Sequence, residues 1–184
     1  MTIPDKFTER DLELHTGSGL IEAIRFDGDR HGMTHCMSAV DFVFADSRYY
    51  YFIELKDPDN PCAQPDAIEE FKEQVRNDTL CETLIKKYRE SWLYRWAQDK
   101  LDKPVIYCVI LSCRKLTPVD YLILDQRLKQ KIPIKGNCSW KRTFIHNCVV
   151  FDIKTWNEEF PNWQIRRISE ANAKPLKQKN NEKD

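Results

Sequence analysis

Two strand patterns lie close together in the first third of the chain, over residues 38–45 and 49–56, the second rich in aromatic and β-branched side chains. Asp46, Ser47 and Arg48 between them form a short hairpin loop. Before this pair, Ser18 is placed to cap a short helix over residues 19–24, followed by a turn-rich stretch over 27–32. Pro58 and Pro61 end the second strand, because a proline cannot donate to a continuing ladder. Helical spacing of Ile68, Phe71 and Val75 follows a cap at Asp66 and predicts a helix over 68–77. Thr79 with Glu82 reads as a capping box that opens a second helix, with Leu84, Ile85, Tyr88, Trp92 and Trp96 on one stripe.

Residues 105–113 form a continuous apolar run of strand length, the signature of a strand buried on both faces. Thr117-Pro118 opens a third helix that runs to Gln130, and residues 144–153 read as another strand, after which Trp156, Phe160 and Trp163 anchor the chain. The first 17 residues are polar, with Leu12 and Leu14 as packing candidates, and from Ala171 the chain is polar and lysine-rich, expected to be a disordered basic tail over 171–184. The expected layout is therefore one domain over residues 1–170, built as an α/β or α+β sheet layered by helices.

Composition narrows the partners. Lys and Arg number 29 against 29 Asp and Glu, so the formal net charge is zero, whereas a non-specific nucleic-acid binder usually carries a basic excess. Any phosphate-binding surface must be a local patch. Five Trp, seven Tyr and nine Phe exclude a wholly disordered chain. No apolar stretch approaches the roughly 20 residues of a membrane-spanning helix, and the first residues lack the basic start and apolar run of a secretory signal, so a cytoplasmic, non-membrane protein is expected. Seven scattered cysteines without a C-x-x-C pair disfavour both a disulfide framework and a zinc knuckle. His31, His35 and Cys36 have metal-ligand chemistry, but Gly28 and Gly32 argue for a loop there.

The chemistry-bearing segment is the hairpin itself. Folded about Ser47 and Arg48, it sets Asp41 directly opposite Glu54, with Cβ atoms about 5 Å apart on one face. Alternation puts Lys56 on that same face and sends Ile53 and Leu55 to the other. Like charges facing each other on a sheet are destabilising, and a divalent cation between them removes that cost. Paired hard oxygen ligands suit Mg²⁺, with Mn²⁺ as a substitute. Such a metal would polarise a phosphodiester and lower the pKa of a bound water, with Lys56 orienting that water or stabilising transition-state charge.

A helix carrying an acid, then an Asp on the hairpin's first strand and Glu-x-Lys on its second, together resemble the PD-(D/E)xK nuclease superfamily. The resemblance covers residues 18 to 113, with Val40 where the motif's name has proline. It implies a restriction-endonuclease-like mixed central β-sheet flanked by helices and Mg²⁺-dependent hydrolysis of nucleic acid, DNA being the superfamily's usual substrate. Asp41 and Glu54 would be metal ligands, Lys56 the catalytic lysine, Glu22 the acid of the first helix and Gln74 the glutamine that some branches place near the site. A homodimer would let two single-site nucleases cut both strands.

Plainer readings stand beside these. Asp41, Glu54 and Lys56 could form a solvated ion pair at a sheet edge, and Glu22 and Gln74 could be surface residues. The Lys86–Trp96 stretch mixes cations and aromatics as a base-stacking surface does, but the spacing of four favours a core stripe, leaving Lys86, Lys87 and Arg95 for the other face. Lys141, Arg142, Arg166 and Arg167 are either phosphate contacts or solvated charges. The alternative to an enzyme is a catalytically inactive nuclease-fold subunit that binds a protein or nucleic-acid partner.

Overall fold

The computed structural model describes residues 2–28, 32 and 35–172. In chain order the elements are β1 (Lys6–Glu9), β2 (Leu12–His15), β3 (Glu22–Arg25), β4 (Phe42–Ala45), β5 (Tyr50–Lys56), α1 (Ala67–Arg76), α2 (Thr79–Ala97), β6 (Val105–Leu111), α3 (Pro118–Lys131), β7 (Asn147–Phe151), α4 (Ile153–Glu159), β8 (Ile165–Arg167) and α5 (Ile168–Asn172). His31, one member of the candidate His/Cys cluster, and residues 173–184 of the expected tail lie outside the described residues. Ala171 and Asn172 belong to α5, so the helix runs two residues into the segment expected to be disordered.

The expected α/β class holds in its coarse form. A five-stranded mixed sheet runs β3-β4-β5-β6-β7, and a three-stranded antiparallel sheet runs β1-β2-β8. β3, β4 and β5 are antiparallel neighbours, while β5, β6 and β7 are parallel. Parallel neighbours need crossover connections, which α1 with α2 supply between β5 and β6, and α3 supplies between β6 and β7.

Alternation along β5 divides the core. Tyr50 and Phe52 point into one cluster, shared with Phe71, Val75, Leu84, Tyr88, Leu124 and Leu128 from α1, α2 and α3. Tyr51, Ile53 and Leu55 point into a second cluster with Leu12, Leu14, Trp156, Trp163 and Ile165, between the large sheet and the smaller one. β6 feeds both clusters, through Tyr107 and Val109 on one side and Cys108 and Ile110 on the other, as its uninterrupted apolar run predicts.

Two local expectations are corrected. Residues 19–24 do not form a helix: Gly19 has φ +92°, and β3 then pairs along β4, from Glu22 opposite Ala45 to Arg25 opposite Phe42. A segment this short gains little from helical bonds, so pairing to an open sheet edge wins. Nor does Thr79 cap α2. Asp78 occupies the cap position in the left-handed region at φ 73°, and its carboxylate is held by Lys131. The expected box forms instead at α3, where Thr117 and Asp120 exchange side-chain and backbone hydrogen bonds. The polar N-terminal segment also yields a strand pair that its sequence pattern did not announce, with Leu12 and Leu14 fully buried.

Because Leu14 is enclosed between the two sheets, Leu14→Ala should lower unfolding free energy by about 2–5 kcal/mol in urea titrations. A loss below about 0.5 kcal/mol, the range of an ordinary surface change, would show that the small sheet is not docked on the large one.

Candidate functional site

The hairpin register is the one expected. Phe42 faces Ile53 and Val43 faces Phe52, which carries Asp41, one residue before β4, opposite Glu54. Asp41 is held by both its backbone and its side chain. Its carbonyl accepts from the Phe26 N–H at 2.8 Å, and its Oδ2 accepts from the Leu55 N–H at 2.6 Å, replacing a ladder partner just before β4 begins. The preceding residues are clamped by α2, where Ser91 Oγ accepts from the Val40 N–H at 2.9 Å and Glu90 accepts from the Ser38 N–H.

Asp41 and Glu54 thus meet on the sheet face covered by the helices, at 5% and 0% exposure. Their charge is met by two lysines. Lys56 Nζ lies 2.6 Å from Glu54 Oε1, and Lys87 Nζ lies 2.6 Å from the same oxygen and 3.3 Å from Asp41 Oδ1. Glu54 Oε2 is buried without a hydrogen-bond partner. An unsatisfied buried carboxylate oxygen is costly and marks a place where a ligand can bind.

Burial and the neighbouring Asp41 charge push the Glu54 carboxyl above its ordinary range, against the pull of Lys56 and Lys87. Burial acts to lower Lys87, but attraction to Glu54 and Asp41 prevails and raises it. The two directions coexist because Glu54 is wholly enclosed, whereas the Lys87 side chain keeps 20% of its exposure. Asp27 is a third acid of this neighbourhood, its carboxyl raised by burial and by the Asp41 charge. Only its place in a turn after a short apolar stretch was readable beforehand.

The remaining candidates lie apart. Glu22, on β3 opposite Ala45, sits at the other end of the hairpin, where its two carboxylate oxygens accept from Arg95 Nη1 at 3.0 Å and Nη2 at 2.7 Å. Arg95 is 1% exposed and lies over the Tyr50 ring. Gln74 is exposed on α1 and hydrogen-bonds to none of Asp41, Glu54 and Lys56. Lys87 and Arg95, expected on the outer face of α2, both turn inward. The stripe beside them is core at Leu84 and Tyr88 but opens outward at Trp96, which is 47% exposed.

A second buried ion cluster braces the end of β5. Arg167 Nη2 donates to Asp57 Oδ1 at 2.8 Å, and Nη1 donates to Asp11 Oδ2 at 2.9 Å, tying the residue after Lys56 to the small sheet. Arg167 is thus committed internally and is no free phosphate contact. A groove lies beyond it, between α3 and α4, lined by Ser112, Tyr121, Asp152, Lys154 and Arg167; Asp41, Glu54 and Lys56 do not line it. Cys81, Cys108, Cys113 and Cys148 are buried, as small hydrophobes would be.

Among the described residues no group of three or more His, Cys, Asp or Glu side chains could hold a metal ion. The donor set that is present, two buried carboxylates with one unpartnered oxygen, fits a hard divalent cation that completes its coordination with water and substrate oxygens. No helix of the described residues is long and apolar enough to cross a membrane. Compared with protein-family models, curated proteins and solved structures, the chain matches none.

Two expectations follow. The folded Glu54 carboxyl holds its proton above the ordinary value of 4.5, so its contribution is favourable below that pH and is lost as pH rises through the folded value. The stability of Glu54→Gln relative to the natural protein should therefore grow as pH rises from 4.5 in parallel urea titrations; a constant difference would contradict the assignment. Glu22→Ala strands a buried guanidinium but leaves the acid pair intact. It should cost about 2 kcal/mol, less than the full value of a buried pair because Glu22 keeps 30% of its exposure. The same urea titrations measure this cost.

Proposed function

We propose that the protein is a metal-dependent nuclease of the PD-(D/E)xK type, hydrolysing phosphodiester bonds in DNA with Mg²⁺ or Mn²⁺. One observation carries this reading: Asp41 and the fully buried Glu54 converge on one face with Lys56 beside them, and Glu54 Oε2 has no partner. An antiparallel hairpin followed by a helical crossover to a parallel strand agrees with a restriction-endonuclease-like core. In this reading Glu22 and Gln74 have no catalytic part.

Asp41 and Glu54 would hold the cation, which when bound supplies Lewis acidity at the phosphate and acidifies a coordinated water. Asp41 is preorganised for this by the Leu55 N–H, which fixes Oδ2, and by the Phe26 N–H on its carbonyl. Lys56 reaches the cluster from the open end of β5, with 28% of its side chain exposed. In this reading it orients an attacking water and offsets charge on the phosphate oxygens, which its partial exposure beside Glu54 supports. The helices over this face exclude water from behind the acids, which strengthens each of these interactions.

Lys87 supports a second reading. A lysine already bridging both acids is what a non-catalytic subunit would use to neutralise them permanently, leaving the fold for partner binding. Cleavage assays on supercoiled plasmid, linear duplex, single-stranded DNA and RNA separate the two readings. The nuclease reading expects cutting in Mg²⁺ or Mn²⁺ that EDTA abolishes and that Asp41→Ala, Glu54→Ala and Lys56→Ala each reduce by about a hundredfold or more. Cleavage that survives all three substitutions would refute the assigned site, and a folded protein silent on every substrate would favour the inactive subunit.

A further inference from the structure

Lys87 reaches the acid pair by helical phase and not by chance exposure. Ser91 and Glu90 pin α2 to residues 38 and 40, and Lys87 lies one turn before Ser91, directed at the same stretch of chain. Its sequence neighbour Lys86 is exposed, as is Arg89 two residues on. Of these three cations Lys87 alone has its charge between two carboxylates, 2.6 Å from Glu54 Oε1 and 3.3 Å from Asp41 Oδ1.

That arrangement is lopsided. Glu54 Oε1 accepts from two ammonium groups, Lys56 and Lys87, while Oε2 accepts from none. A cation bound by Asp41 and Glu54 must approach their oxygens to about 2.0–2.1 Å if it is Mg²⁺. An ammonium already bridging those carboxylates occupies that space, and its charge repels a second cation. Lysine is suited to leave, because its charge rides on a flexible four-carbon stem, and this stem keeps 20% of its exposure.

We propose that Lys87 is the resident cation of the site: it neutralises Asp41 and Glu54 until a divalent metal displaces it, so that lysine and metal are mutually exclusive occupants. This inference rests on the metal-binding reading of Asp41 and Glu54. Its consequence is quantitative, because metal affinity is reduced by the fraction of molecules in which Lys87 is withdrawn. The enzyme would be held in a cation-satisfied resting state, and metal binding would free an ammonium at the mouth of the site.

Mn²⁺ titrations read by calorimetry test this on the natural protein, Lys87→Gln and Asp41→Asn, with circular dichroism to confirm folding. Lysine acetylation of the natural protein, mapped by mass spectrometry with EDTA and with Mn²⁺, provides a readout that needs no variant. The expected result is Mn²⁺ binding about tenfold or more tighter in Lys87→Gln, absent in Asp41→Asn, and acetylation of Lys87 that rises when Mn²⁺ is present. Equal affinity in the natural protein and Lys87→Gln, with Lys87 protected in both conditions, would overturn the displacement and leave the metal site standing. Absence of Mn²⁺ binding in every form would overturn the metal-binding reading as well. Should Lys87→Gln fail to fold, the acetylation pattern decides alone: protection that Mn²⁺ does not change overturns the proposal.

Discussion

Two carboxylates enclosed at the end of a hairpin are the constraint around which this structure is arranged. Asp41 and Glu54 are both almost wholly removed from water, and a pair of like charges in such a place cannot persist without nearby positive charge. The chain supplies it from two directions, Lys56 along the same strand and Lys87 from the helix above. Truncating an ion from a buried cluster usually costs far more than the intact cluster contributes to stability, so an acid pair of this kind is weak evidence for stability. Its chemistry is the better account of why both acids lie in one enclosed place.

The surrounding fold makes the cluster rigid. β5 is the pivot: it pairs antiparallel with β4, which sets the acids face to face, and parallel with β6, which requires the helical crossover that brings Lys87 over them. Beyond the site, Asp57 is gripped by Arg167, and the Ser112 N–H donates to the Lys56 carbonyl at 2.8 Å. The strand end that carries Lys56 is thereby fastened to both the neighbouring strand and the small sheet. At the opposite end of the hairpin, Glu22 and Arg95 form a separate brace. A buried arginine paired by both nitrogens to one carboxylate is a well-defined geometric lock between β3 and α2.

Much of this was legible in the sequence because local pattern and tertiary role coincide. The facing of Asp41 and Glu54 followed from the shortness of the loop at Asp46-Ser47-Arg48, which fixes register, and the burial of β6 followed from its unbroken apolar run. What escaped depends on distant partners. Residues 19–24 look helical until β4 offers an edge, and the strands β1, β2 and β8 form a sheet only because residues some 150 positions apart meet, as Leu12 does with Arg167. Lys87 belongs to the same class. Beside Lys86 and Arg89 it reads as one more solvated cation, and nothing in the local sequence marks it as the one aimed at the acids. Glu22 shows the converse: an acid at the spacing expected of a site member, committed instead to an arginine 73 residues away.

The most direct test of the account is crystallographic. Crystals grown with Mn²⁺ and measured for anomalous scattering should show a peak shared by Asp41 and Glu54, contacting the unpartnered Oε2, with the Lys87 side chain turned away. Density in which Lys87 still bridges both carboxylates and no Mn²⁺ peak adjoins them, at metal concentrations well above any physiological level, would contradict it.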